Sequence, residues 1–272
     1  MTFDLGAYLD RIGFEDEAVA DLATLRSLAR CHTQSIAFEN LDAFLQVGAP
    51  RLDLGSLQAK LVGSRRGGWC FEQNLLLRAA LEAIGFTLTP LLARVVWRGS
   101  VDDDVARTHM LLRVEVEEGA HLIDVGFGGQ VLTGVLELAE GVEQLTPHEP
   151  FRLGRRDHEL TMETQVAGEW RAAYRFDLQP QLPLDYELPN WWLATHPDSH
   201  FRHGLTVARP APGCRHVLAN RRYGVHHLGG PSEKRLVSDA AELRALLADV
   251  FDIDAPPELD TAFDRLPVEQ PV

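Results

Sequence analysis

Three residues whose side chains can together carry nucleophilic catalysis stand far apart in this sequence: Cys70, His109 and Asp124. Cys70 lies in RRGGWCFEQN (65–74), where two arginines and two glycines lead into a lone cysteine and a helical pattern follows at once. A helix N-terminus carries about half a positive charge and unpaired N–H groups, which favour thiolate over thiol. Arg65 and Arg66 would add positive potential, while Gly67 and Gly68 would permit a tight backbone approach and leave room for a substrate. The plainer reading of Cys70 is a buried thiol acting as a small apolar residue.

A thiolate nucleophile needs a partner that holds or takes its proton. Of eleven histidines, His109 is the best placed, at the start of the apolar stretch HMLLRV, although on position alone it reads as a surface histidine at a strand start. Asp124 sits in HLIDVGFGG, and a carboxylate beside Leu122, Ile123 and Val125 is costly unless paired. If the two strands are neighbours, Asp124 accepts from one imidazole nitrogen and the other faces the sulfur, the logic of a nucleophile–base–orienter triad.

Such an arrangement requires elements that bring distant positions together. Leu5, Tyr8, Leu9 and Ile12 share a helical face closed by Gly13, and Val19, Leu22, Leu25, Leu28 and Ala29 make a second stripe. A short helix is predicted from Ser56, and Leu76, Ala79, Ala80, Ala83 and Ile84 place a longer one behind Cys70, with Gly85 as its stop. From about residue 88 the period becomes two, which predicts strands over 91–97, 109–116 and 121–127 and further strands in 151–178. Met110, Leu112, Val114 and Val116 then share one face and leave His109 and Leu111 on the other. Frequent turn residues suit a barrel or a sandwich. Near the end, Leu243, Leu246, Leu247, Val250 and Phe251 form a helical face behind the capping pair Asp239 and Glu242. Helices followed by strands predict an α+β fold with segregated layers.

The bulk properties narrow the function. The 272 residues exceed one average domain, and 45% of them are hydrophobic, enough for a sizeable core. A formal net charge of −14 argues against nucleic-acid or anionic-membrane partners. No apolar run is long enough to span a membrane, and MTFDLGAYLDRIGF does not read as a signal peptide. Cys31, Cys70 and Cys214 form no C-x-x-C pair, which argues against a disulfide framework or structural zinc and points to a reducing cytoplasm. GFGG (126–129) lacks the third glycine of a dinucleotide fingerprint, since Val131 stands there. It reads instead as a tight turn or a glycine loop whose N–H groups line a cofactor cleft, with Phe127 at its tip. His196, His200 and His203 have helical spacing, but Pro197 interrupts a regular helix and no metal is expected there. Trp191, Trp192 and Phe201 read as packing or a pocket wall.

Several separated motifs, in order, make the chain resemble the arylamine N-acetyltransferases nearly end to end. IAFENLD (36–42) is similar to the family's I-P-F-E-N-L-D with Ala37 for proline, and RRGGWCFEQN to R-G-G-x-C-x-E-x-N with Trp69 where tyrosine is frequent. THMLLRV resembles T-H-x-L-x-V loosely, IDVGFGG carries D-V-G-F-G-G unchanged, and ATHPDSHF (194–201) resembles S-T-H-P-x-S-x-F with Ala194 for serine. The resemblance implies an N-terminal helical bundle (1–87), a central β-barrel (88–190) and a C-terminal α/β lid (191–272) around a transglutaminase- or papain-like Cys-His-Asp core. Its triad maps onto Cys70, His109 and Asp124.

The chemistry the resemblance implies is ping-pong transfer of an acetyl group from acetyl-coenzyme A to an arylamine, arylhydrazine or arylhydroxylamine through an acetyl-cysteine. Acetyl-coenzyme A would be a substrate, with no metal and no tightly bound cofactor. The acceptor pocket maps onto Phe38, Val95, Phe127 and Phe201, and the coenzyme cleft onto Trp97, Thr108, Gly126, Gly128 and Gly129. Glu39 and Arg66 would form a supporting ion pair. The expected partners are these small molecules alone, bound by a monomer or homodimer. Amide synthases that close polyketide macrolactams share the triad and stay open as an alternative. A papain- or transglutaminase-type hydrolase shares the Cys, His, Asp order but not DVGFGG or THPDSHF, and a non-catalytic ligand-binding module would have no need of an intact triad.

Overall fold

The computed structural model describes residues 3–267. Helix α1 (Leu5–Ile12) starts where the Asp4 carboxylate accepts the Ala7 N–H at 3.0 Å and ends at Gly13, whose φ of 66° provides the left-handed stop. Helix α2 (Leu22–Ser35) is capped by Asp21, so Val19, expected on its apolar stripe, precedes the helix and is exposed. Strand β1 (Phe38–Glu39) and helices α3 (Leu41–Phe44) and α4 (Leu54–Leu57) follow. Helix α4 starts ahead of the expected Ser56 because Asp53 caps it, accepting the Ser56 N–H at 3.0 Å, and it continues into a π-helical turn, Gln58–Gly63.

Helix α5 (Cys70–Ile84) begins at the cysteine itself. Its whole first turn is buried, and farther along it buries Leu76, Leu77, Ala80 and Leu81. The expected stripe through Ala79, Ala83 and Ile84 is thus rotated: Ala83 is exposed and Ala79 and Ile84 are half-buried. Turning the leucines inward removes more apolar area from water than burying the alanines would.

Seven antiparallel strands form a nearly closed barrel-like sheet in the order β5-β4-β3-β2-β8-β7-β6. They are β2 (Thr87–Val95), β3 (Arg107–Val116), β4 (Gly119–Ile123), β5 (Leu136–Glu137), β6 (Phe151–Arg156), β7 (Glu159–Val166) and β8 (Glu169–Phe176). The alternation in β3 divides two cores. Met110, Leu112 and Val114 pack with the helices, whereas Leu111 faces Leu91, Leu122 and Phe176 inside the sheet. Strand β4 stops at Ile123, short of the expected 127. Beyond it, side chains replace the sheet ladder: Asn74 accepts the Val125 N–H at 3.2 Å and Asp124 accepts the Gly126 N–H at 2.9 Å.

Helix α6 (Pro183–Thr195) then crosses back to the helical layer, so the expected boundary at 190/191 falls inside it. A second antiparallel sheet has the order β1-β9-β10-β11-β12, built from β9 (Thr206–Ala211), β10 (Cys214–Ala219), β11 (Arg222–His227) and β12 (Ser232–Leu236). Because β1 pairs with β9, Phe38↔Ala208, a strand from the N-terminal helical segment forms the edge of the last sheet. Helices α7 (Ala240–Phe251) and α8 (Glu258–Ala262) cover this sheet. Among the described residues no helix is long and apolar enough to cross a membrane.

Candidate active site

Three features fix Cys70 at the start of α5. The Glu72 carboxylate accepts the Trp69 N–H at 3.1 Å, closing the helix end. The Trp69 indole donates to Asn190 Oδ1 at 3.0 Å, tying the cap to α6. Gly67 and Gly68 allow close approach, since a Cβ on Gly67 would lie 2.1 Å from the Ala37 carbonyl oxygen and one on Gly68 2.7 Å from Glu72 Oε2. Their role in the structure is therefore to admit protein, not to make room for a substrate.

Nor do the two arginines supply free positive charge. Arg65 pairs with Asp252 at 2.6 Å, and Arg66 pairs with Glu39 at 2.7 Å and Asp42 at 2.9 Å. Glu39 and Arg66 do form an ion pair, with the Glu39 side chain fully buried, behind the loop that carries Cys70. Lys60 extends this group, reaching Asp42 and Glu72 at 2.7 Å each.

His109 is not a surface residue; it is 2% exposed. Its Nε2 hydrogen bonds Asp124 Oδ2 at 2.7 Å, which leaves Nδ1 as the nitrogen that can face the Cys70 sulfur. The Cys70 sulfur also lies 3.6 Å from the Thr108 carbonyl oxygen. Burial works against a charged imidazole, but the Asp124 charge and hydrogen bond, with the sulfur beside it, push the His109 pKa up to about 10.

Asp124, in turn, is buried with four donors. Besides His109 these are Tyr174 Oη at 3.0 Å on Oδ2, and Asn74 Nδ2 at 3.0 Å and the Gly126 N–H at 2.9 Å on Oδ1. Burial alone would raise its pKa; the neighbouring imidazolium and these hydrogen bonds hold it below the usual carboxylate value. The same burial and carboxylate push the Tyr174 phenol well above its ordinary value, so it stays a donor.

Cys70 and His109 open onto a cavity of about 780 Å³. Phe38, Val95, Phe127 and Phe201, assigned to an acceptor pocket, all line it, as do Trp97, Thr108, Gly126, Gly128 and Gly129 from the expected coenzyme cleft. Phe127 stands edge-on to His109 at 5.2 Å and to Trp97 at 6.3 Å. Phe201 packs between Phe38 at 6.1 Å and Trp69 at 5.7 Å. Trp192 joins the wall, whereas Trp191 is on the outer face of α6 and 52% exposed. The three histidines do not share a helix: His196 caps α6, and His200 begins a separate 3-10 turn against Phe201. No group of three or more His, Cys, Asp or Glu side chains among the described residues is arranged to hold a metal ion.

A buried cysteine, histidine and aspartate in series at the floor of an aromatic cavity is a constellation for acyl transfer, and comparison with known proteins identifies its lineage. A family model described as N-acetyltransferase matches residues 21–259. An arylamine N-acetyltransferase of Mycolicibacterium smegmatis is 43% identical over 250 residues, 91% of this chain and 91% of its own. This chain belongs to the arylamine N-acetyltransferase family. The Escherichia coli (strain K12) arylamine N-acetyltransferase is 40% identical over 255 residues, 92% of this chain and 89% of its own. The structure of the Mycobacterium marinum arylamine N-acetyltransferase in complex with CoA matches at a TM-score of 0.93 and 38% identity, covering 97% of this chain and 99% of that one. The chain is therefore an acyltransferase with the mixed α+β fold of that family.

Two contributors to the candidate site escape a reading of the sequence. Asn74 carried a usable signal: it lies one helical turn after Cys70, on a turn buried all round, where a polar amide needs partners. Tyr174 carried none, because its link to Asp124 spans fifty residues and depends on how β8 sits beside β2.

Proposed function

We propose that this enzyme transfers an acetyl group from acetyl-coenzyme A to an aromatic amine, hydrazine or hydroxylamine by a ping-pong mechanism, with Cys70 as nucleophile, His109 as proton carrier and Asp124 as the group that orients it. The observation that carries this is that Cys70 and His109 line one cavity, with the His109 imidazole held by a four-fold bonded carboxylate behind it. The raised pKa of His109 supports a charged imidazole beside the Cys70 sulfur at neutral pH.

In the first half-reaction the Cys70 sulfur forms a bond to the thioester carbonyl carbon. The oxyanion is held by the N–H groups at the start of α5. The carbon–sulfur bond to coenzyme A breaks, its thiolate leaves with the His109 proton, and an acetyl-cysteine remains. In the second, the amine attacks the acetyl-cysteine, His109 Nδ1 takes the amine proton, and the Cys70 sulfur is released. Asp124 keeps the other ring nitrogen protonated, so Nδ1 is the atom that exchanges the proton. Phe38, Val95, Phe127 and Phe201 form the flat apolar seat for the acceptor and keep water from the acyl-enzyme. The edge formed by Trp97, Thr108 and the glycines 126, 128 and 129 receives the coenzyme. The Glu39–Arg66 pair braces the loop under Cys70.

Mass spectrometry after mixing with acetyl-coenzyme A alone tests the proposal. The expected product is one added acetyl group on Cys70, discharged on adding an arylamine. Acetylation at another residue, or none until the amine is present, refutes it.

A further inference from the structure

Arg215 is a fully buried arginine that the chemistry above does not use. It sits on β10 with 2% of its surface exposed. One edge of its guanidinium grips Glu149, with Nε 2.9 Å and Nη2 2.6 Å from Oε2. From the other edge, Nη1 donates to the carbonyl oxygens of Val131 at 3.0 Å and Gly129 at 3.4 Å. Glu149 is itself fixed by its neighbour. His148 Nε2 donates to the carbonyls of Ala211 at 3.0 Å and Cys214 at 3.1 Å, and its Nδ1 accepts the Thr133 hydroxyl at 3.1 Å. Two positions along β10, Val217 faces the same loop: a Cβ on Gly129 would lie 3.5 Å from its Cγ2.

The glycine loop is thereby held at both ends. Asp124 and Asn74 fix its start through the Gly126 and Val125 N–H groups, and Arg215 fixes its end. The second anchor also sets a direction. The Gly129 carbonyl points to Arg215, and in a trans peptide the N–H of the next residue points the opposite way. That residue, Gln130, lines the large cavity beside Gly128 and Gly129.

We propose that Arg215, held by Glu149, is a positioning residue for the acyl donor: it fixes the glycine loop so that the amide edge of the loop faces coenzyme A, and so couples the C-terminal sheet to donor binding. This rests on reading the cavity as the acyl-donor cleft. Neither side chain touches the reacting atoms, so the effect falls on donor affinity and not on the chemistry of Cys70.

The test uses the full chain as unmodified enzyme, Arg215→Lys and Glu149→Gln, and follows acylation of Cys70 by two donors. Acetyl-coenzyme A uses the loop; p-nitrophenyl acetate delivers the same acetyl group without a coenzyme. Lysine keeps the charge on Glu149 but lacks the second edge that reaches the loop. Arg215→Lys is expected to raise KM for acetyl-coenzyme A by about tenfold, the size of one lost hydrogen bond, with acylation by p-nitrophenyl acetate within about twofold of the unmodified enzyme. Glu149→Gln is expected to move the same ratio in the same direction by a smaller factor. Equal slowing with both donors, or an unchanged KM for acetyl-coenzyme A, overturns the inference. Should Arg215→Lys fail to fold, the donor ratio in Glu149→Gln decides alone, and an unchanged ratio overturns the inference. If the unmodified enzyme is acylated by p-nitrophenyl acetate but not by acetyl-coenzyme A, the donor assignment itself fails, and the inference with it; that failure is visible without any variant.

Discussion

Replacing Asp124 by asparagine tests the proposed site most directly, because the four hydrogen bonds dictate how the new side chain must sit. Oδ1 receives the Gly126 N–H and the Asn74 amide, and the Gly126 backbone donor cannot turn away. The asparagine oxygen must therefore take that side, and its NH₂ group faces His109 and Tyr174. A donor then confronts His109 Nε2, which can only become an acceptor, and the ring proton moves to Nδ1. In that tautomer Nδ1 cannot take a proton from the attacking amine. The charge is lost as well. Asp124, with a smaller share from Cys70, overcomes burial and pushes the His109 pKa up to about 10 from an ordinary 6.5, a bias towards imidazolium. Without the carboxylate, burial is opposed only by the neighbouring Cys70, and the pKa falls. The expected loss in kcat/KM at neutral pH is about 10³- to 10⁴-fold, the scale of a wrong-tautomer triad. Nitrogen-15 NMR of the imidazole supplies the second measurement: His109 should be charged at pH 8 in the unmodified enzyme and neutral in Asp124→Asn. There is a consequence for stability too. The charged pair contributes fully below pH 6.5, and its contribution fades as pH rises through about 10, a slope that the variant should lack. A His109 still protonated at pH 8 in Asp124→Asn, or activity within tenfold of the unmodified enzyme, would refute the reasoning.

Three further outcomes are expected. Tyr174→Phe removes one of four donors to a buried carboxylate, and kcat/KM should fall about tenfold while the fold persists, as steady-state kinetics and thermal unfolding will show. Gly126→Ala would place a Cβ 2.5 Å from the Cys70 Cα, which neither backbone can avoid without moving; acetyl-cysteine formation, read by mass spectrometry, should drop at least about a hundredfold. His32 is buried between Tyr8 Oη and Gln73 Oε1 at 2.8 Å each, and its pKa is lowered to about 4, by burial first and then by the Arg11 charge, against the Gln73 hydrogen bond. Because the unfolded chain protonates this group first, its contribution is fully present above pH 6.5 and up to about 3 kcal/mol is lost as pH falls to 4; urea unfolding across that range should show a shallower decline in His32→Gln.

How much of the site was legible in the sequence depends on how local its causes are. Cys70 was readable because a helix start leaves a local signature: here two glycines, a cysteine and a helical pattern that follows at once. Asp124 was readable because a carboxylate among Leu122, Ile123 and Val125 demands a partner. The residues around them misled wherever the cause was a distant contact. Arg65 and Arg66 resemble an electropositive lure for a thiolate, yet their charges are consumed by Asp252, Glu39 and Asp42. Val19 and Ala83 fit helical stripes by period but lost their places to a cap at Asp21 and to the leucines of α5.

The same distinction explains why the chemistry sits where it does. A helix terminus can favour a thiolate but cannot donate a proton to it, and a strand can present an imidazole but has no dipole to favour the sulfur anion. Joining the two requires the α5 start to meet the end of β4. Asn74 is the residue that makes this junction: one helical turn from Cys70, it accepts the Val125 N–H and donates both to Asp124 and to the Met110 carbonyl, next to His109. One side chain thereby ties the elements that carry Cys70, His109 and Asp124 together at once. Asn74→Asp should therefore be more harmful than its size suggests. A second carboxylate would face Asp124 and leave the Met110 carbonyl without its donor, so proton affinity at Asp124 would rise and the bias that keeps His109 charged would weaken. Asn74→Asp should lose activity most steeply near neutral pH, while Asn74→Ala, which adds no charge, should lose it by a constant factor across the pH profile of kcat/KM. Parallel profiles for the two variants would show that Asn74 acts by packing alone.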